Sequence, residues 1–316
     1  MPDKIKILAV AGATASGKSS LALELASRHN GEIISCDSMQ VYKRMDIGTA
    51  KPTKEEQATV RHHMIDVAEP SESYSCAEYI KDAAKAIEDV AARGKLPIVC
   101  GGTGLYLDAL LRSSDFSAES SPDLALREEL FAFAEKNGKE ALFEELRRID
   151  PESAEAIHPN NVKRVIRAIE IYRTSGQKKS ELDRLSLEAP SKYDATVIAL
   201  RYNDREILRK RIDDRVDVMI AQGLEEETRM LMREGVFESN TTASQAIGYK
   251  ELLGYFKGEM CFEECVELLK TATRKYAKRQ LTWFKAREYV EWIDADSAEG
   301  MKSFKEIVNS AQTLFL

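Results

Sequence analysis

Gly12-Ala13-Thr14-Ala15-Ser16-Gly17-Lys18-Ser19 fits the pattern G-x-x-x-x-G-K-[ST], and its flanks are as informative as the octet itself. Before it, the apolar run Ile5 to Val10 reads as a short buried strand; after it, Ser20 to Arg28 reads as a helix carrying Leu21, Leu23 and Leu25 and closed by Asn30-Gly31. In that context the glycines let successive backbone N–H groups turn onto a phosphate group, and the helix start adds its positive end. Lys18 supplies a mobile cation, and the Ser19 hydroxyl is placed to reach a bound Mg²⁺. The octet is therefore expected to hold a di- or triphosphate.

Outward from the loop, strands are expected at Glu32-Ile33-Ile34-Ser35-Cys36, ending in Asp37, and at Leu96-Pro97-Ile98-Val99-Cys100, ending in Gly101-Gly102-Thr103-Gly104. Between them Ser75-Cys76-Ala77-Glu78 is a capping box that opens a helix with Ile80, Ala83, Ala84, Ile87 and Val90 inward. Alternation of this kind predicts an α/β fold with a P-loop NTPase-like parallel sheet flanked by helices. The 96–100 strand lacks the terminal Asp that orders Mg²⁺ in most NTPases, and no Asn-Lys-x-Asp guanine-reading element occurs. At this point a small-molecule kinase remains open, since a phosphate loop alone does not fix the reaction.

The character changes near Asp115. A Ser-rich stretch (Ser113, Ser114, Ser117, Ser120, Ser121) reads as a linker leading to Pro122, a good first helical residue after a Ser cap. Only helical patterns follow as far as Ser175-Gly176, which predicts an all-helical insertion at 115–189 within a catalytic core made of 1–114 and 190–316. Residues 195–201 return to strand character. Asn203-Asp204-Arg205-Glu206 caps a helix to Gly223, and a helical carboxy-terminal third is expected beyond it. Phe131, Phe133, Phe143, Met219, Met230 and Met232 fall at helical spacings and are read as core.

At 316 residues, with 43% hydrophobic and 31% charged, the chain is globular and near two domains at roughly 150 residues each. Collagen-like, low-complexity and broadly disordered classes are excluded. Five cysteines, in no C-x-x-C pair and no zinc-box arrangement, point to a reducing compartment. No apolar run approaches the ~18 residues that a membrane span needs. A cytoplasmic monomer without membrane contact is expected. The net charge of −7 argues weakly against nucleic acid, but residues 270–287 hold seven Lys or Arg (Lys270, Arg274, Lys275, Lys278, Arg279, Lys285, Arg287) and no acid, interleaved with Tyr276, Trp283 and Phe284.

Asp37-Ser38-Met39-Gln40-Val41-Tyr42, followed by Met45-Asp46-Ile47-Gly48-Thr49-Ala50-Lys51-Pro52, resembles the tRNA dimethylallyltransferase family. Gly101-Gly102-Thr103-Gly104-Leu105-Tyr106, Asp150-Pro151-Glu152-Ser153, His158-Pro159-Asn160 and Tyr276-Ala277-Lys278-Arg279-Gln280-Leu281-Thr282-Trp283 resemble it too, in order, so the likeness covers nearly the whole chain. Departures are Ala13 where Pro is usual, Cys36 where Ala is expected, Lys43-Arg44 for an Arg-Gly pair, and Asn161 where Asp is common; Arg44 leaves its turn geometry open. The eukaryotic members' zinc finger does not occur in it, so the likeness is to the bacterial form.

The resemblance implies transfer of a dimethylallyl group from dimethylallyl diphosphate to N6 of the adenosine 3′ of the anticodon, with the phosphate loop holding a leaving diphosphate rather than ATP. It implies Asp37 as general base and Thr103 as a group orienting the amine. In Arg211-Ile212-Asp213-Asp214-Arg215-Val216-Asp217-Val218-Met219 it implies a diphosphate contact at Arg215, with Arg211 competing for the role. For the tRNA anticodon stem-loop it places Asp37 to Gln40 against a flipped base, and Gln40 can pair with a base edge. Arg274, Lys275, Lys278, Arg279 and Gln280 on the basic segment, and Arg127, Asn161, Lys163 and Arg164 around the insertion, are the further expected RNA contacts. A kinase, a free-adenylate isopentenyltransferase and a non-enzymatic RNA-binding regulator are the rivals. None of them accounts for the phosphate loop, Asp37, Thr103 and the basic segment together.

Overall fold

A computed structural model describes residues 4–112, 123–188, 191–238 and 241–315. The chain divides into two compact units, Met1–Leu111 with Tyr193–Leu316, and Arg112–Lys192. The expected boundaries at 114/115 and 189/190, the Ser-rich linker and Pro122 all lie outside the described residues.

The first unit is built on six parallel strands: β1 (Lys6–Gly12), β2 (Gly31–Ser35), β3 (His62–His63), β4 (Leu96–Gly101), β5 (Asp194–Arg201) and β6 (Val290–Asp294), in spatial order β3-β2-β4-β1-β5-β6. The helices of its amino-terminal part are α1 (Lys18–Arg28), α2 (Lys54–Thr59), α3 (Cys76–Ala92) and α4 (Gly104–Leu111). The buried strands are apolar on both faces, as parallel sheets require. On β1, Ile7, Ala9 and Ala11 pack with Tyr79, Ala83 and Ile87 of α3 and Leu107 and Leu110 of α4. Leu8 and Val10 face Leu21 and Leu25 of α1. Ser75 closes a capping box with Glu78 at the start of α3, as its spacing predicts.

Arg112–Lys192 is all helix in its regular elements: α5 (Leu124–Asn137), α6 (Lys139–Ile149), α7 (Pro151–Ala156), α8 (Val162–Ser175) and α9 (Lys179–Glu188). Leu130, Leu142, Leu146, Val165, Ile166 and Ile169 form its core. The α5 cap is Asp123, whose carboxylate accepts from the Leu126 N–H at 3.0 Å, not a serine. Asp150 caps α7 and also accepts from Ser180, which gives Asp150-Pro151-Glu152-Ser153 a local architectural reason.

The carboxy-terminal third is not wholly helical. After α10 (Arg205–Ala221), α11 (Leu224–Arg233), α12 (Leu253–Phe256) and α13 (Phe262–Lys285), β6 joins the edge of the sheet beside β5, and a short hairpin of β7 (Asp296–Ser297) and β8 (Gly300–Met301) precedes α14 (Phe304–Phe315). Of the residues read as core, Phe143 is buried and Met219 half-buried, whereas Phe131, Phe133 and Met230 are exposed.

Candidate active site

Ser35 of β2 and Val10 of β1 both stand opposite Cys100 of β4, so the three strands end level and their following turns leave the same sheet edge. Those turns carry Gly12–Ser19, Asp37 and Thr103. This is the carboxyl edge where α/β sheets place ligands. A cavity of about 660 Å³ opens there, with Lys18, Ser19, Asp37, Arg211, Arg215 and Tyr276 among its walls. Val216, Met219, Ile247 and Leu269 supply an apolar side.

The phosphate loop keeps its shape through a Ser16 N–H to Ala13 carbonyl bond of 3.2 Å and a left-handed Gly17 (φ 97°), which a side chain would strain. Arg211 braces it, its Nε donating to the Ala15 carbonyl at 3.0 Å. Lys18 Nζ folds back on the Ala13 carbonyl at 3.2 Å. Burial pushes the Lys18 pKa down; Arg215 pushes the same way, while Cys100 and Asp37 oppose it. Burial also lowers the Arg215 pKa, against the pull of Asp37, and its Nε is buried with no hydrogen-bond partner among the described residues. The acids that surround Arg215 in sequence are engaged elsewhere: Asp213 with Arg274 (2.7 Å), Asp214 with Lys210 (3.0 Å) and Asp217 with Lys270 (2.7 Å). A surface ion-pair network therefore does not account for Arg215. A cationic wall with unused donors is a receptor for an anion.

Asp37 Oδ1 accepts from the N–H groups of Met39 (2.8 Å) and Gln40 (3.4 Å), so the carboxylate also closes its own turn. Thr103 Oγ1 accepts from the Ser38 N–H at 3.0 Å, and its own N–H donates to the Cys36 carbonyl at 3.2 Å, tying the two turns together. Tyr276, by sequence one aromatic among several in a basic run, lies beside Thr103 and Gln280. Its phenol is pushed well up by burial and by the Asp37 charge. The signal in the sequence is its i,i+4 spacing to Gln280 on one helix face.

Several expected RNA contacts have other partners. The Gln40 amide has partners within the protein: Oε1 accepts from Ser35 Oγ (2.8 Å) and Nε2 donates to the carbonyls of Thr49 (3.2 Å) and Ala50 (3.1 Å). Gln280 is buried and bonded to the Thr14 N–H and the Gly102 carbonyl. Arg127 grips the buried Glu170 with two 2.9 Å bonds inside the helical unit. Burial alone would raise the Glu170 carboxyl, but Arg127 and Arg167 outweigh that and hold it below its ordinary range. Acids from other elements also neutralise part of the 270–287 segment, because Lys270, Arg274 and Arg287 pair with Asp217, Asp213 and Asp108. Lys275, Lys278, Arg279 and Lys285 are exposed, with no ion pair found among the described residues. Lys275, Lys278 and Lys285 line a second cavity of about 1320 Å³ along α10 and α13, whereas Arg279 lies on the first and stacks over Tyr276 at 5.5 Å. In the helical unit Asn161, Lys163 and Arg164 are exposed.

For a divalent cation, Ser19 offers a hydroxyl, and no group of three His, Cys, Asp or Glu side chains gathers into a metal cage among the described residues. Cys100, at the strand end where many phosphate-loop proteins have a carboxylate, is buried with its thiol pushed up to about 11. Such a donor set fits Mg²⁺ held chiefly by substrate oxygens and water, its usual mode.

Residues 40–287 match the family model described as IPP transferase. The chain is 45% identical over 304 residues to the tRNA dimethylallyltransferase of Caldanaerobacter subterraneus subsp. tengcongensis, covering 96% of each. Among solved structures it is similar to the tRNA isopentenylpyrophosphate transferase of Bacillus halodurans (41% identity, TM-score 0.69, 98% of this chain and 95% of that one). It is also similar to a eukaryotic dimethylallyltransferase acting on tRNA (34% identity, TM-score 0.78, 92% of this chain and 74% of that one).

Proposed function

The chain belongs to the IPP transferase family and is a tRNA-prenylating enzyme, and on that premise we propose that its donor is dimethylallyl diphosphate, its acceptor the N6 amine of the adenosine 3′ of the anticodon, and Asp37 its general base. What carries the reading is the convergence of the phosphate loop, Asp37 and Arg215 on one cavity with a polar and an apolar side, with Thr103 bonded behind it to the Ser38 N–H of the Asp37 turn.

The donor's diphosphate sits against the loop N–H groups, Lys18 and Arg215, and its prenyl tail against Val216, Met219, Ile247 and Leu269. As the allylic C–O bond breaks, negative charge grows on the departing diphosphate. Fixed donors in a water-poor site stabilise that charge, each by about 3 kcal/mol. Burial lowers the Lys18 pKa, and an arriving anion supplies the countercharge that favours its ammonium form. Ser19 and the diphosphate oxygens would hold Mg²⁺, which neutralises leaving-group charge when bound. On the acceptor side, Oδ1 of Asp37 is fixed by two backbone N–H groups, and no partner of Oδ2 is found among the described residues. Oδ2 takes the proton that the amine loses as its bond to carbon forms. Thr103, held by the Ser38 N–H and the Cys36 carbonyl, orients the amine.

The exposed Lys275, Lys278 and Arg279 position the RNA backbone, and Lys163, Arg164 and Asn161 offer further contacts on the helical unit. A tRNA substrate supports a cytoplasmic setting; the described cysteines are all free, and no helix among the described residues is long and apolar enough to cross a membrane. The reading is tested by single-turnover prenylation with Asp37→Asn: a 10²–10⁴-fold slower chemical step with tRNA binding retained supports it, and an unchanged step removes Asp37 as the base.

A further inference from the structure

Helix α13 places one buried amide between the two turns that hold the reaction's two halves. Gln280 is 5% exposed. Its Oε1 accepts from the backbone N–H of Thr14, in the phosphate loop, at 2.8 Å, and its Nε2 donates to the carbonyl of Gly102, next to Thr103, at 3.0 Å. The fit is close: a Cβ on Gly102 would lie 2.1 Å from Gln280 Nε2, so only glycine admits the amide there. One turn earlier on the same face, Tyr276 lies beside Thr103 and Gln280. One turn later Trp283 packs on Gly104 and donates its indole N–H to Asp108 of α4 at 3.1 Å, and Asp108 also accepts from Arg287 at 2.8 Å. The helix is thus anchored to α4 independently of Gln280, which leaves the amide free to act as a spacer rather than as the sole tether.

We propose that Gln280 is a positioning residue that sets the separation between the leaving diphosphate and the acceptor amine by bonding the phosphate loop and the Thr103 turn to one rigid carboxamide. Two opposite polarities are needed, an acceptor toward Thr14 and a donor toward Gly102, and a primary amide is the side chain that offers both in a plane. Such a spacer acts on the near-attack geometry, where misplacement by about 1 Å costs on the order of 10²-fold in rate. By holding the Thr14 N–H it also withdraws that donor from the loop's phosphate-binding set. The inference rests on the roles proposed for Asp37 and Thr103.

The test uses the full-length protein, unmodified tRNA and dimethylallyl diphosphate with Gln280→Met, which keeps the volume without the bonds, Gln280→Glu, which keeps the acceptor and loses the donor, and Gly102→Ala. For each variant that retains wild-type thermal unfolding, kcat falls 10- to 100-fold while both KM values stay within threefold. Gly102→Ala combined with Gln280→Met costs no more than the worse single change, because both act on one interaction. Full kcat in the folded Gln280 variants overturns the proposal. So does a raised tRNA KM with kcat preserved, which makes Gln280 an RNA contact. So does a loss of stability in all three variants that accounts for the whole loss of rate. Asp37→Asn run in parallel separates the layers: if it too retains full turnover, the reading of the site has failed, and if it is inactive while Gln280 variants are not, only the spacer has.

Discussion

Asp37 and Arg215 line one cavity and interact electrostatically, yet the proposed roles put them in different halves of the reaction, which makes them separable. Arg215→Gln is expected to slow the chemical step by about 10²–10³-fold, the usual effect of losing one fixed donor to a developing anion. Its tRNA affinity should stay within threefold, and single-turnover kinetics with saturating tRNA checks this; a change confined to tRNA binding would reassign the residue. Arg211, bonded to the Ala15 carbonyl, is tied to the shape of the loop itself. At the same scale Arg44, at a position where the resemblance leads glycine to be expected, defines its turn. It adopts φ 62°, a left-handed conformation that costs a non-glycine residue about 1–2 kcal/mol, and it is held by Glu69 (2.8 Å) and Glu234 (3.1 Å). Both Arg44→Ala and Arg44→Gly lose those half-exposed pairs, but only the alanine keeps the strain. The glycine variant should therefore be more stable than the alanine variant by roughly 1 kcal/mol, as denaturant unfolding would show; the reverse order would mean the turn is not strained. What is legible in the sequence at this scale is residue type at a motif position. Gln40, Gln280 and Arg127 escape such a reading because their partners, Thr49, Gly102 and Glu170, are distant in sequence or are backbone carbonyls, and no spacing rule reports those.

Among elements, α13 joins two tasks that its basic, aromatic sequence does not separate. Its inner face, Tyr276, Gln280 and Trp283, locks onto the turns of the site. Lys275, Lys278 and Lys285 face the groove along α10 instead. Neutralising Lys275, Lys278 and Arg279 together should weaken tRNA binding and reduce the slope of log K against log salt by up to about 0.9 for each phosphate no longer neutralised. An unchanged slope in a salt titration would make these residues a solvated face. The strand, phosphate-loop and helix order of β1 and α1 is readable because each piece carries its own local signal, a short apolar run, glycines, then leucines at helical spacing. Strand β6 is not. Val290-Glu291-Trp292-Ile293-Asp294 is a five-residue edge strand with one polar flank, and its structure is decided by pairing with β5 rather than by anything within it.

For the molecule as a whole, each of the two units closes around a buried carboxylate clasped by cations. In the first, Glu32 is 2% exposed at its side chain and is held by Arg93 (2.5 Å), Lys95 (2.8 Å) and His63 (2.7 Å); hydrogen bonds from Arg93, against the cost of burial, press its carboxyl far below the usual range. In the second, Glu170 plays the same part between Arg127 and Arg167. A carboxylate whose pKa is depressed on folding stabilises the fold fully above its unfolded pKa, near 4.3 for Glu, and loses that stabilisation as pH falls toward the folded value. Thermal stability should therefore be flat from pH 8 to 6 and decline below about pH 5. Glu32→Gln should cost about 1–3 kcal/mol at pH 7 and flatten the acid limb; an unaltered limb would assign acid lability to other groups. The acceptor reading itself is tested most directly by nucleoside mass spectrometry of unmodified tRNA incubated with the protein, Mg²⁺ and dimethylallyl diphosphate, beside free adenosine monophosphate and an ATP control. Isopentenyl adenosine formed in tRNA, and lost with Asp37→Asn, is the predicted result. Prenylation of the free nucleotide instead, or ATP turnover with no prenylated product, would contradict the account.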